Sequence, residues 1–270
     1  MPVARRAPLG QHFLHSPSIL NRIAEAARAA AASSDLIIEI GAGPGTLTGR
    51  LLDLGKHLVA IEIDSRLAAR LRAGLGEHAR LEVLETDILQ TDLEEIISAR
   101  TAGRAVVTGN LPYYITSPIL RLIFDSAARV SEAILLVQKE VAARIAARPG
   151  TRDYGYLSVL CQAHSRPEIL FTAPPGAFRP PPKVTSALVR LPIEPRLGVA
   201  DRQAFLEFVQ LCFHHKRKML LNNLEKRFGK ERVARLPEAR LRAEQLSPEQ
   251  LAALFLRLEK SMPQRHRDTE

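Results

Sequence analysis

The sequence predicts an α/β protein, a doubly wound sheet with a single ligand cleft, followed by a small all-α domain. Three observations carry that prediction. Up to Leu191, short apolar runs of strand length alternate with amphipathic stretches of helical spacing, the signature of successive strand–helix units. Four consecutive runs end in glycine or polar residues, Gly41, Glu62, Asp87 and Asn110, which places them at one edge of the sheet, where open α/β sheets bind ligands. Beyond Pro192–Val199, a linker holding two prolines and a glycine, the apolar spacing is helical throughout.

At 270 residues, 46% of them hydrophobic, the chain suffices for one large domain, or one large and one small, with a core that needs no staples. Lys and Arg number 38 against 29 Asp and Glu, a net charge of +9. The excess is unevenly distributed and suits a nucleic-acid partner; the plainer alternative is general basicity. Cys161 and Cys212 are far apart and form no CxxC pair, so neither a disulfide framework nor a zinc site is expected. No apolar run approaches ~18 residues, so no transmembrane helix is expected. The N-terminal MPVARRAPLGQ lacks a signal peptide's apolar core, which makes the cytoplasm the expected location.

Met1–Leu9, short, basic and proline-containing, reads as a mobile arm. Gly10–Leu14 follows, and its His12 gains interest only where the arm folds over a site. Ser16-Pro17 opens a helix, with Ser as cap and Pro at the first helical position, and Ile19, Leu20, Ile23, Ala26 and Ala27 recur at helical spacing. Leu36–Ile40 is a strand, Gly41-Ala42-Gly43-Pro44-Gly45 a loop, and Thr46–Leu54 a helix, together a nucleotide-binding unit whose glycines let backbone approach a ligand. A dinucleotide fingerprint wants glycine at the sixth place, which here is Thr46; the third glycine comes one place early, a pattern suited to a cofactor without phosphates.

The strand His57–Ile61 delivers Glu62, placed to bind ribose hydroxyls, and Asp64, which caps the helix Ser65–Leu75. The strand Arg80–Leu84 delivers Asp87, either an acceptor for an adenine amine with Ile88 against the ring, or a helix cap. The buried strand Ala105–Thr108 exits through Gly109-Asn110-Leu111-Pro112-Tyr113-Tyr114, and Pro112 stiffens the loop. An amide, a proline-restrained carbonyl and a ring suit a flat base with an exocyclic amine: the oxygens accept from the amine and Tyr113 stacks on the face. The plainer alternative is a turn whose Asn caps backbone and whose Tyr packs on a loop.

Further on, Thr116–Ala128, Lys139–Ala147 and Leu157–Ala163 read as helices, and Glu132–Val137, Glu168–Thr172 and Thr185–Leu191 as strands. Ala173–Val184 is a proline-rich loop that holds Phe178 rigidly, either as a hydrophobic plug or as a stacking surface; Lys183 is a solvated charge or a phosphate contact. Helices are expected at Arg202–Cys212, Lys218–Phe228, Glu231–Leu236 and Pro248–Lys260. His214–Lys218 is a basic knot whose Lys216, Arg217 and Lys218 can neutralise phosphates.

The string GQHFL (Gly10–Leu14), EIGAGPGTLT (Glu39–Thr48), EID (Glu62–Asp64), TDIL (Thr86–Leu89), NLPYYI (Asn110–Ile115), FRPPPKV (Phe178–Val184) and HHKRKMLLNNL (His214–Leu224) resembles the ribosomal RNA adenine dimethyltransferases over nearly the whole chain, the bacterial small-subunit branch most closely. The resemblance implies a Rossmann-like sheet that uses S-adenosylmethionine to dimethylate two adjacent adenines near the 3′ end of small-subunit RNA. It assigns His12, Leu14, Gly41, Glu62, Asp87 and Asn110 to the cofactor pocket, with Gly43, Ile63 and Ile88 beside them. Asn110, the Leu111 or Pro112 carbonyl and Tyr113 then carry the chemistry, and Phe178, Lys183 and the basic knot hold the RNA. Residues 1–192 are the expected catalytic domain, 199–262 an RNA-contacting helical domain and 263–270 a disordered tail. The expected partner is the small ribosomal subunit or its precursor RNA, with no membrane, no metal and a monomeric protein. The sequence departs from the family at His12, where many relatives carry Asn, and at His214-His215, where Arg-type residues often sit. Competing readings are a large-subunit RNA adenine methyltransferase of the antibiotic-resistance type, an assembly factor that keeps the fold, and a nicotinamide oxidoreductase, which Thr46 disfavours.

Overall fold

A computed structural model describes residues 11–194 and 196–260; the expected N-terminal arm and C-terminal tail lie outside them. The chain divides into two compact units, Met1–Ala142 with Arg166–Glu194, and Ala143–Ser165 with Pro195–Glu270.

Among the described residues the first unit holds nine strands: β1 (Phe13–Leu14), β2 (Leu36–Ile40), β3 (His57–Glu62), β4 (Leu81–Glu85), β5 (Ala105–Asn110), β6 (Val130–Gln138), β7 (Glu168–Ala173), β8 (Phe178–Arg179) and β9 (Ser186–Pro192). Seven form one sheet in the order β4-β3-β2-β5-β6-β9-β7, parallel from β4 to β6 and antiparallel from β6 to β7. β3 and β5 flank β2 on opposite sides, so the direction of winding reverses between β2 and β5; the cleft at such a switch point is where this architecture binds ligands. Its helices are α1 (Pro17–Ala30), α2 (Thr46–Leu52), α3 (Ser65–Leu75), α4 (Leu93–Ser98) and α5 (Thr116–Asp125), and α6 (Lys139–Ile145) runs from this unit into the second.

Strand β2, LIIEI, is buried at every position, as expected of a parallel strand covered on both faces. Its Ile37 packs with Ile19, Ile23, Leu47, Leu51 and Val106 in the main core, which α1 and α2 cover. Asp64 caps α3, accepting from the backbone N–H of Arg66 at 2.9 Å, and the Arg66 guanidinium holds its carboxyl below the usual range. Ser16 stands at the N-cap of α1 with Pro17 next in the helix, as the sequence suggests, but its side chain makes no capping bond. Its hydroxyl meets Ser18 Oγ at 3.2 Å, and the N–H groups of His15 and Ser16 donate to the Ala177 carbonyl instead.

That contact belongs to a feature the sequence does not announce. Within the expected 173–184 loop, β8 pairs with β1, Phe13 opposite Arg179 and Leu14 opposite Phe178. Two-residue strands carry no periodicity, so only the pairing reveals them.

The second unit contains α7 (Tyr156–His164), α8 (Arg202–Phe213), α9 (Leu220–Phe228), α10 (Lys230–Ala234) and α11 (Pro248–Lys260). Phe205, Phe208, Phe228 and Phe255 form its aromatic centre, with ring centroids 5.5–6.0 Å apart. The expected boundary near residue 192 left 143–165 in the catalytic domain; the structure groups that segment with the C-terminal helices. Buried Tyr154 donates its hydroxyl to the Leu246 carbonyl at 2.9 Å, and the Gly150 N–H donates to the Glu244 carbonyl at 2.6 Å. Cys161 and Cys212 are buried free thiols of this unit, and burial pushes both well above the usual range.

Candidate active site

At the C-terminal edge of β2–β5 lies a cavity of about 330 Å³. Each strand supplies a wall. After β2, Gly41, Gly43 and Gly45 adopt φ of 72°, 59° and 86°, a left-handed backbone that L side chains rarely take. A Cβ at Gly43 would stand 3.2 Å from the Phe13 ring, so the loop is also bare because another segment lies on it. At the end of β3, Glu62 is 3% exposed and accepts from two backbone N–H groups, Gly43 at 2.8 Å and Asp64 at 2.9 Å. The carboxylate therefore locks the glycine loop to the end of β3 while facing the cavity. After β4, Asp87 Oδ1 accepts from the Leu89 N–H at 3.0 Å, leaving Oδ2 for a ligand; Ile88 and Leu89 add apolar surface.

The fourth wall is Asn110–Ile115, where the backbone separates two carbonyls the sequence could not. The Pro112 carbonyl accepts from the Ile115 N–H at 3.2 Å and closes a 3-10 turn. The Leu111 carbonyl takes no such donor among the described residues. Asn110 Nδ2 donates to the His12 carbonyl at 2.8 Å, which turns Oδ1 out as the amide's acceptor. Tyr113 meets Ser186 Oγ through its hydroxyl at 2.9 Å, and its ring stacks with His12 at 6.0 Å and 29°.

Gln11, His12 and Phe13 form a strap across the cavity, from the Gly43 loop to Asn110. The strap is fastened by the β1–β8 pairing, by Thr46 Oγ1 donating to the Leu14 carbonyl at 2.8 Å, and by His12 Nδ1 at 2.8 Å from the Pro180 carbonyl.

The structure thus brings together His12, Gly41, Gly43, Glu62, Ile63, Asp87, Ile88, Asn110, Leu111, Pro112 and Tyr113. Two assignments need correction. Leu14 is buried in the core beneath the strap, because strand alternation sends it away from the cavity that Phe13 faces. Phe178, 1% exposed, is in the same core and serves as the plug, not as a stacking surface. Lys183 is exposed and outside the cavity. In the second unit Arg217 and Lys218 are exposed, whereas Lys216 is half-buried and already engaged, donating to the Arg152 carbonyl and facing Glu244 Oε2 at 3.8 Å. Sequence reasoning missed Gln11 and Phe13 as lining residues, although both stand in the GQHFL string, and Tyr114, 64% exposed beside Tyr113. Among the described residues no group of three or more His, Cys, Asp or Glu is placed to hold a metal ion, and no helix is long and apolar enough to cross a membrane.

The family model for ribosomal RNA adenine dimethylase matches residues 4–262. The chain belongs to this family. Among curated members of the dimethylase family, a ribosomal RNA small subunit methyltransferase A of Acidobacterium capsulatum is 44% identical across 93% of this chain and 90% of its own length. Its counterpart from Koribacter versatilis is 40% identical across 95% of both. Two crystal structures share the fold: a dimethyladenosine transferase of Plasmodium falciparum, at 26% identity and a TM-score of 0.78 over 92% of this chain and 98% of that one, and the 23S rRNA methyltransferase ErmE, at 28% and 0.65 over 92% and 99%. This dimethylase is accordingly a Rossmann-like methyltransferase.

Proposed function

We propose that the protein dimethylates the exocyclic N6 of two adjacent adenines near the 3′ end of small-subunit ribosomal RNA, using S-adenosylmethionine. The observation that carries the substrate is 40–44% identity, over nearly full length, to proteins named small subunit methyltransferase A. The cavity supports the chemistry.

The residues present fit the cofactor. The cavity's volume suits a small ligand, left-handed Gly41 and Gly43 bring bare backbone to its wall, and the lining suits a nucleoside: Glu62 to accept from ribose hydroxyls, Asp87 Oδ2 to accept from an adenine amine, Ile63 and Ile88 against the ring. When bound, S-adenosylmethionine supplies an electrophilic methyl on a sulfonium.

The remaining work falls to the chain. An adenine drawn out of its loop stacks on Tyr113. Its amine is a poor nucleophile because the lone pair is delocalised into the ring. Asn110 Oδ1 and the Leu111 carbonyl accept its two N–H groups and favour a pyramidal nitrogen whose lone pair points at the methyl. Both acceptors are fixed before substrate arrives, Asn110 by the His12 carbonyl and Leu111 by its N–H bond to the Leu136 carbonyl at 3.1 Å. Positioning and fixed dipoles thus supply the acceleration. Arg217 and Lys218, exposed in the second unit, and Lys183 contact phosphates. Ribosomal subunits place the reaction in the cytoplasm.

The test is methyl transfer from labelled S-adenosylmethionine to unmethylated small subunits, with large subunits in parallel and the products mapped by mass spectrometry. Dimethyladenosine at two adjacent small-subunit positions is the expected result. A single modified adenine in large-subunit RNA would reassign the substrate, and tight particle binding without transfer would make the protein an assembly factor.

A further inference from the structure

None of the sequence motifs contains Ser186, yet it holds the ring on which the target base is read to stack. Ser186 is fully buried on β9, between β6 and β7, opposite Gln138 on one side and Ala173 on the other. Ser186 opens β9 and is paired there with the last residues of β6 and β7, so both flanks of its backbone are held by the sheet. Tyr113, by contrast, stands in a 3-10 turn beyond the end of β5. The 2.9 Å bond between the two hydroxyls ties that turn to the sheet. From Tyr113 the chain of contacts continues to the His12 ring, and from the His12 carbonyl to the Asn110 amide. Ring and amide are therefore set by one connected network whose sheet-held end is Ser186.

The network matters unequally for the two transfers. Unmodified adenine offers two N–H groups, one for Asn110 Oδ1 and one for the Leu111 carbonyl. After the first transfer N6 carries one methyl and one hydrogen, so one acceptor loses its donor. Stacking must then hold the base with a larger share of the binding energy, while N6 turns to present its lone pair again. We propose that Ser186 is a positioning residue for the second methyl transfer: by fixing Tyr113 it keeps the monomethylated base in place. In that step the N6 lone pair forms the new N–C bond, the carbon–sulfur bond breaks with its electron pair left on sulfur, and the last N6 proton leaves to water. The inference rests on the proposed adenine dimethylation at this site.

Single-turnover transfer to unmethylated small subunits tests it, with mono- and dimethyladenosine followed separately, for the unsubstituted protein, Ser186→Ala, Tyr113→Phe and the double variant. Removing the bond from either side slows the second transfer about tenfold and the first about two- to threefold, the range of a lost hydrogen bond. Monomethyladenosine accumulates, cofactor affinity by calorimetry is unchanged, and the double variant is no slower than either single one. Equal slowing of both transfers, or losses that multiply in the double variant, would overturn the proposal. Tyr113→Phe breaks the same bond from the cavity side, so it carries the test alone where Ser186→Ala fails to fold. No transfer by the unsubstituted protein overturns the function and this role together; transfer with a normal product ratio in the variants overturns this role only.

Discussion

Replacing Gly109 with Ala puts the geometry of the cleft to a quantitative test. Gly109 is the penultimate residue of β5, opposite Leu135 of β6 on one flank and beside Ile40, the last residue of β2, on the other. A Cβ there would stand 2.3 Å from the Ile40 carbonyl oxygen, 3.2 Å from its carbon and 3.3 Å from its nitrogen. All three are backbone atoms in the middle of a sheet, so no rotamer change relieves the clash. Restoring an ordinary contact needs β2 and β5 to part by about 1 Å. Those strands carry the two halves of the site: Gly41 follows Ile40, Asn110 follows Gly109, and a Cβ on Gly41 would lie only 3.8 Å from the Asn110 carbonyl oxygen. Overpacking of this kind costs about 1–3 kcal/mol of stability. A 1 Å misplacement of reacting groups costs roughly a hundredfold in rate. Gly109→Ala should therefore fold with a lowered urea midpoint and transfer methyl groups about a hundredfold more slowly in single turnover. Gly49→Ala is the matched control: it lies within α2 with nothing within 4 Å of its added Cβ, and should stabilise the protein by about 0.5–1 kcal/mol with transfer intact. Normal stability and normal transfer in Gly109→Ala would refute the claim that the β2–β5 contact sets the spacing of the site.

Asn110→Ala should lower the rate of transfer by about 10²–10³, while cofactor affinity measured by calorimetry changes severalfold at most, because its acceptor serves the transition state; comparable losses in both would place Asn110 in cofactor binding instead. Arg217→Ala with Lys218→Ala should weaken binding to unmethylated subunits and reduce the slope of log K against log salt by about 1.5, whereas Lys216→Ala should chiefly lower the unfolding midpoint; a salt slope that responds only to Lys216 would reverse those roles. Glu39 is buried in β2 with Oε2 unpartnered, and burial pushes its carboxyl up to about 8. It therefore binds a proton in the folded chain that the unfolded chain has lost, so its contribution falls as pH rises from about 4.5 to 8, at up to ~1 kcal/mol per unit. Glu39→Gln should flatten that decline and raise stability most at pH 8; parallel pH profiles of urea midpoints for the two proteins would disprove the assignment.

Much of this site was legible in the one-dimensional string because the rules that produce it are local. An apolar run followed by Gly41-Ala42-Gly43-Pro44-Gly45 dictates a strand and a left-handed turn, since the required φ values suit glycine wherever the segment lies. Asp64 caps α3 through contacts within three residues. Four strand ends share an edge because parallel strands point the same way, so Gly41, Glu62, Asp87 and Asn110 converge without any knowledge of the strand order. Whatever depended on partners far along the chain stayed hidden. Leu14 and Phe178 face each other across a two-residue ribbon 164 positions apart, and that pairing, together with core burial, took both from the cofactor and substrate roles their motifs suggested. Residues 143–165 fell inside the expected 1–192 domain, but the hydrogen bonds that claim them come from Leu246 and Glu244. Lys216 looks like its neighbours in composition and differs in having Arg152 and Glu244 within reach. Ser186 looks like any serine in a strand until Tyr113 is seen against it. Periodicity, turn chemistry and caps act over a few residues and are written where they act; pairing, plugging and hydrogen bonding across the fold depend on which distant atoms arrive at the same place.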